Sequence, residues 1–341
     1  MIGQVFKIHS DFYYICANDG NVIECKLREV LKKQKQKVLV GDFVEYDNAC
    51  AIYKILERKN SILRPAVANI DLAVVVSSLL EPKLDFIQLN RYLTFLKYHK
   101  ISAILCFNKE DLLNNPDFSP VAQKIIEIYQ PLGYKILFTS AKEKMGIEDF
   151  RQEVLGKTIA LCGLSGVGKS SLVNALNSDF NLKVGNVSKV TGRGTHTTRH
   201  CEILNLGDFR IVDTPGFSNL KFDFILPKDL SALFDDIAKF AIDCKYSDCL
   251  HLGDDEIGCA VVANLDKIEP TRYESYLSFV QEAREYKEKV TYQGVKEEEF
   301  KKKTFGADKV KISQRKRQSA RNTQKQVLKN LQEIIEEENE Y

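Results

Sequence analysis

The segment Gly163-Leu164-Ser165-Gly166-Val167-Gly168-Lys169-Ser170 fits the pattern G-x-x-x-x-G-K-[ST]. Its glycines let the backbone turn so that amide N–H groups converge on phosphate oxygens. Lys169 sets a positive charge against β- and γ-phosphates, and the Ser170 hydroxyl suits Mg²⁺. An apolar run, Thr158 to Leu161, precedes it. Ser171 to Leu176 continues as a helix whose N-terminus adds its own partial positive charge. Upstream, Asn108-Lys109-Glu110-Asp111 fits N-K-x-D, with Ser140-Ala141 beyond it. A carboxylate at Asp111 can accept hydrogen bonds from both guanine N1–H and the exocyclic amine. Adenine offers neither donor, and a buried charge stranded that way costs on the order of several kcal/mol. In this reading Asn108 braces neighbouring loops, the Lys109 stem covers the base, and the Ser140 and Ala141 amides face guanine O6. Asp213-Thr214-Pro215-Gly216 ends another apolar strand. Asp213 suits the Mg²⁺ side of the phosphates through water, and Gly216 the γ-phosphate.

The order of these patterns matters as much as their presence. A GTPase ordinarily has its phosphate loop first and its guanine reader last; here the guanine reader comes first. The expectation is a circularly permuted nucleotide domain, with both of its ends free to carry other modules. Gly192-Arg193-Gly194-Thr195-His196-Thr197-Thr198-Arg199 lies where a γ-phosphate-sensing loop belongs, and either Thr197 or Thr198 can ligate Mg²⁺. Phe217 stands where many GTPases have the glutamine that orients the attacking water, and a phenyl ring cannot do that. His196 is the catalytic candidate for that task; a histidine facing solvent or RNA is the alternative.

Cys244-x₄-Cys249-x-His251-x₇-Cys259 gathers three thiols and an imidazole within sixteen residues. This is the closed tetrahedral set of a structural Zn²⁺ site, with no open position for a catalytic water. The other six of the nine cysteines read as small core residues, and the cysteine usage suits a reducing, cytosolic compartment. Net charge is +2, so global electrostatics do not force a nucleic-acid reading. The charge is uneven, however. Lys301 to Lys329 holds eleven Lys or Arg against one acid, Asp308, and the stretch from Glu333 to Glu340 is acidic. That basic arm can neutralise nucleic-acid phosphates or be a solvated helix. The longest apolar run, Leu72 to Leu80, is far short of the ~20 residues needed to span a bilayer. No signal peptide and no membrane partner are expected.

Hydrophobic residues make up 44% of the 341, ample for more than one core. Residues 1–62 read as five short strands, the fourth running from Lys37 to Tyr46. That suits a small barrel of OB type, with an SH3-like barrel fitting the periodicity nearly as well. Residues 63–225 alternate continuous apolar strands with amphipathic helices, the pattern of a doubly wound parallel sheet. Residues 226–292 read as helices around the Cys/His cluster, with Tyr276, Val280 and Ala283 on one stripe. Residues 293–341 form the charged arm.

Together the barrel, the motif order, Gly194-x-His196-Thr197-Thr198, Asp213-Thr214-Pro215-Gly216 and the Cys₃His cluster make the chain closely resemble the RsgA (YjeQ) family of circularly permuted GTPases. The resemblance implies a cytoplasmic assembly factor acting late in maturation of the small (30S) ribosomal subunit. It further implies slow intrinsic GTP hydrolysis stimulated by that subunit. Contacts to 16S rRNA through barrel and zinc domain, and a monomer off the ribosome, complete the expectation. Family members likewise carry a hydrophobic residue where Phe217 stands and a histidine where His196 stands.

Overall fold

The computed structural model describes residues 1–17, 20–33, 36–63, 65–112, 120–176, 201–213, 220, 222, 225–253 and 258–293. Five strands open the chain: β1 (Ile2–His9), β2 (Phe12–Ala17), β3 (Val22–Leu27), β4 (Phe43–Tyr46) and β5 (Ala51–Ile55), with α1 (Glu29–Lys33) after β3. They pair in the order β1-β2-β3-β5-β4, and β4 returns to β1, which closes the barrel. Alternate residues point inward, and Val5, Ile15, Cys25, Val44, Tyr46 and Ile52 form its core. This five-stranded Greek-key closure is the OB-type arrangement rather than the SH3-like one. The fourth strand is shorter than the apolar pattern suggests. Asp42 takes the Leu39 amide on its carboxylate (2.7 Å) and returns its own amide to the Leu39 carbonyl (3.2 Å). That turn, locked by an ion pair at 2.7 Å between the buried Asp42 and the half-buried Arg58, interrupts the ladder before Phe43. A short hairpin not apparent in the periodicity follows, β6 (Ser61–Leu63) and β7 (Ala66–Ala68).

The next stretch alternates strand and helix: β8 (Leu72–Ser78), α2 (Phe86–Tyr98), β9 (Ala103–Asn108), α3 (Pro120–Tyr129), β10 (Lys135–Phe138), α4 (Ile147–Val154), β11 (Thr158–Cys162) and α5 (Lys169–Leu176), then β12 (Glu202–Asn205) and β13 (Arg210–Asp213). β10, β9, β8, β11 and β13 are adjacent and parallel. Leu72 to Val76 are buried without alternation, because helices cover both faces of such a sheet. Each aliphatic side chain so buried contributes about 2 kcal/mol. β12 runs antiparallel to β13 and pairs on its other side with β1, so barrel and α/β core share one eleven-stranded sheet.

The chain divides into two compact units: Met1–Leu220 with Glu269–Ser275, and Lys221–Ile268 with Tyr276–Tyr341. In the first, Asn90 is fully buried; its Oδ1 accepts from Tyr129 Oη (2.9 Å) and Arg272 Nη1 (3.0 Å), and its Nδ2 donates to Ser275 Oγ (2.8 Å). The second contains α6 (Asp235–Ala241) and most of α7 (Pro270–Gln293). Its core is aromatic, with Phe222 against Phe279 (4.5 Å between ring centres) and Phe234 edge-on to Tyr276 (5.5 Å). Tyr276, Val280 and Ala283 all face that core, as their helical spacing predicts. No helix among the described residues is long and apolar enough to cross a membrane.

Candidate nucleotide site and Cys/His cluster

Parallel strands deliver the nucleotide-site residues to one edge of the sheet. Asn108 ends β9, Thr139 follows β10, Gly163 follows β11, and Asp213 ends β13. In open α/β sheets ligands bind at these carboxyl ends. The sheet also reverses direction between β8 and β11, since β9 and β10 extend one way and β13 the other. The candidate guanine reader and phosphate loop, far apart in sequence, therefore meet at the same end of the sheet.

Asn108 joins the two. Buried at 3% exposure, it donates from Nδ2 to the Val167 carbonyl of the phosphate loop (3.0 Å). Its Oδ1 accepts from the Ala141 amide (3.1 Å) and the Thr139 hydroxyl (3.4 Å). One side chain thus ties the loops after β9, β10 and β11 together. The backbones close in accordingly. A Cβ on Gly168 (φ +95°) would lie 2.2 Å from Asn108 Nδ2, and one on Gly163 (φ +143°) 2.1 Å from the Val76 carbonyl oxygen, so neither position admits a side chain.

Asp111 is set by its neighbours. Ser140 Oγ donates to its Oδ1 at 2.6 Å and itself accepts the Glu143 amide, while Lys142 Nζ stands 3.9 Å from Oδ2. Glu110 contributes its backbone, its amide donating to the Thr139 carbonyl (3.0 Å). Lys109 adopts φ +68° and donates from Nζ to the Glu81 carbonyl (2.7 Å). The Glu81 carbonyl is a neighbouring group that the motif reading does not single out, because a backbone carbonyl leaves no sequence signal; Lys142 ends the Thr139-Ser140-Ala141-Lys142 stretch that follows N-K-x-D.

In the phosphate loop Ser165 and Gly166 are exposed, Val167 packs into the core, and Leu164 rests against it. Lys169 donates to the carbonyls of Gly163 (2.8 Å) and Leu164 (2.7 Å), and burial lowers its pKa. Ser170 is buried and Ser171 half-buried in the first turn of α5. His196, Thr197, Thr198 and Gly216, together with Phe217, lie outside the described residues. For Asp213 the backbone position at the end of β13 is described.

In the second unit the side chains of Cys244, Cys249, His251 and Cys259 bring one ligand atom each to within 4.8 Å of one another. Cys244 Sγ is 3.5 Å from His251 Nδ1 and 3.9 Å from Cys259 Sγ, and Cys259 Sγ is 3.4 Å from His251 Nδ1. A tetrahedron with metal–sulfur bonds near 2.3 Å has edges of about 3.8 Å, so the donor set fits Zn²⁺ in both type and spacing. Burial pushes the Cys259 thiol up to about 11, helped by its Cys249 and Cys244 neighbours against a Val262 amide, and burial lowers His251. Such crowding of thiols around an imidazole is what a divalent cation relieves.

Comparison with known proteins agrees with this geometry. The RsgA GTPase family model matches residues 55–223, and that of the RsgA N-terminal domain residues 2–50. The "Small ribosomal subunit biogenesis GTPase RsgA" of Geobacillus sp. (strain WCH70) is 38% identical over 289 residues, covering 84% of this chain and 98% of that protein. The protein of the same name from Bacillus subtilis (strain 168) is 34% identical over 292 residues with the same coverage. Among solved structures, YjeQ from Thermotoga maritima superposes with a TM-score of 0.70 at 34% identity, over 83% of this chain and 98% of its own. YloQ, described as a circularly permuted GTPase, gives 0.68 at 31%, over 83% and 95%. With the N-K-x-D stretch ahead of the G-x-x-x-x-G-K-[ST] stretch and both family models matched in succession along the chain, the chain belongs to the RsgA family of circularly permuted GTPases.

Proposed function

We propose that this GTPase acts in late assembly of the small ribosomal subunit, hydrolysing GTP to GDP and phosphate on the immature particle and leaving afterwards. The observation that carries the reading is the Asn108 bridge, which locks a guanine-selective loop to an intact phosphate loop at one sheet edge. Lys169, Ser165 to Ser171 and the α5 N-terminus would hold the phosphates, and Ser170 would ligate Mg²⁺ with Asp213 on its far side. Either Thr197 or Thr198 would complete that shell in the GTP state. His196 is the residue assigned to orient the attacking water, since Phe217 cannot. His196→Ala should lower turnover far more than GTP affinity, and equal turnover would remove the assignment.

Zinc is the proposed occupant of the Cys244, Cys249, His251 and Cys259 set, where it would be structural. The proposed RNA contacts rest on cation–aromatic pairs. Lys26 lies over Phe12 (4.9 Å) and Arg28 over Tyr53 (5.4 Å) on the barrel; Lys245 lies over Tyr246 (5.4 Å) in the second unit. Such pairs offer a base both a stacking face and a phosphate partner. Co-sedimentation with small subunits tests the proposal: binding with a non-hydrolysable GTP analogue and release with GDP is expected. Equal binding in both states, or preference for large subunits, would overturn it.

A further inference from the structure

The barrel and the GTPase strand that carries Asp213 are joined at both ends. In the sheet, Lys7 of β1 is the register partner of Glu202 of β12, and Glu202 is in turn the register partner of Asp213. Two strand spacings, on the order of 10 Å, therefore separate barrel backbone from the Asp213 backbone. Lys7 Nζ and the Glu202 carboxylate form an ion pair at 3.0 Å. At the opposite end of β13, Arg210 Nη1 donates to Gln4 Oε1 of β1 (2.8 Å). Gln4 is almost fully buried, and its own amide donates to the Gly41 carbonyl (3.2 Å), so the acceptor is fixed within the barrel.

The energetics favour a positional role over a merely cohesive one. β12 and β13 are four residues each. Without β1, β12 would be a short edge strand, the kind of element that frays most readily. The phosphate loop and guanine reader hang on β11 and β9, which the barrel strand does not pair with. Loss of the junction should therefore disturb Asp213 and leave nucleotide contacts largely as they are.

We propose that β1 is a brace for the strand bearing Asp213, with Gln4, Lys7, Glu202 and Arg210 as positioning residues for GTP hydrolysis. The proposal rests on the reading of Asp213 as the Mg²⁺-side carboxylate. In the full-length protein, Lys7→Glu sets two acids against each other. It should lower kcat about threefold to tenfold and raise the Mg²⁺ concentration for half-maximal turnover by a similar factor, with KM for GTP within about twofold. The exchanged pair Lys7→Glu/Glu202→Lys should restore both. Amide hydrogen exchange at Val212 and Asp213 should quicken in the single variant and return in the pair. Gln4→Leu, which breaks the other end, should shift the same quantities should Lys7→Glu fold poorly. Unchanged kcat and Mg²⁺ dependence in both single variants, or an exchanged pair as slow as Lys7→Glu, would overturn the brace. Asp213→Asn separates the two ideas. If it keeps the parent's Mg²⁺ dependence, the reading of Asp213 fails, and the exchange rates along β13 alone decide the brace.

Discussion

The Asn108 carboxamide holds three loops with three hydrogen bonds, and that makes it the most consequential small group in the nucleotide site. Gly168→Ala would drive a methyl into its Nδ2, so nucleotide affinity should fall roughly tenfold to a hundredfold, as expected for losing a buried polar bridge. Isothermal titration with GDP checks it. Asp111 gives a sharper test. Asn in its place presents an amide where guanine presents an amine, so Asp111→Asn should cost about a hundredfold in GTP affinity. Xanthine nucleotides, which carry a carbonyl there, should gain, as competition against a fluorescent GDP analogue would show. Outside the site, His99 is partly enclosed by Phe95 and Tyr98 and shares a 2.9 Å hydrogen bond with the Ser61 carbonyl. Burial lowers its pKa from 6.5 to about 4, the Ser61 bond opposing. A histidine held neutral in the fold gains a proton on unfolding. Stability is therefore full above 6.5, falls as pH drops below it, and stops falling below about 4. At pH 5 the loss should be about 1–2 kcal/mol relative to pH 7.5, and His99→Gln should flatten it in urea titrations. The segments that meet at Asn108 were legible because each chemistry they suit demands fixed residue types at fixed spacing. The Glu81 carbonyl that holds Lys109 was not, because backbone groups are alike in every sequence.

At the scale of elements, the alternation of continuous apolar strands with amphipathic helices read over residues 63–225 is the alternation seen from β8 to α5. It failed where a side chain overrides the pattern. The Asp42 carboxylate ends the apolar stretch before β4, and the four-residue β12 carries too few residues for alternation to register. The barrel type needed pairing partners, which periodicity cannot supply; the β4–β1 closure supplies them. The Cys/His cluster was legible in full, since Cys244, Cys249, His251 and Cys259 lie close in sequence and converge in space. Purified protein should carry about one zinc ion per chain, and chelation or Cys249→Ser should unfold the second unit first. Differential scanning calorimetry would show a lower-temperature transition appear, while GTP still protects the unit that contains the phosphate loop. A single unshifted transition after metal removal would count against a structural zinc.

Across the whole molecule, permutation moves the chain ends of the nucleotide core away from their usual place and lets a barrel precede it and a Cys/His unit follow it. The barrel is not merely tethered; its first strand extends the GTPase sheet. That continuity was not legible in the sequence, because it depends on a long-range pairing between Lys7 and Glu202 with no local signal. With Phe217 in place of the usual water-orienting glutamine, the proposed function calls for slow turnover by the enzyme alone, with the small subunit bringing His196 into use. The most direct test is steady-state GTP turnover by the purified chain, alone, with small ribosomal subunits, and with large subunits. A rise of at least about tenfold with small subunits only, absent when ATP replaces GTP, is the predicted result. GTP turnover that is equal in all three conditions would contradict the account.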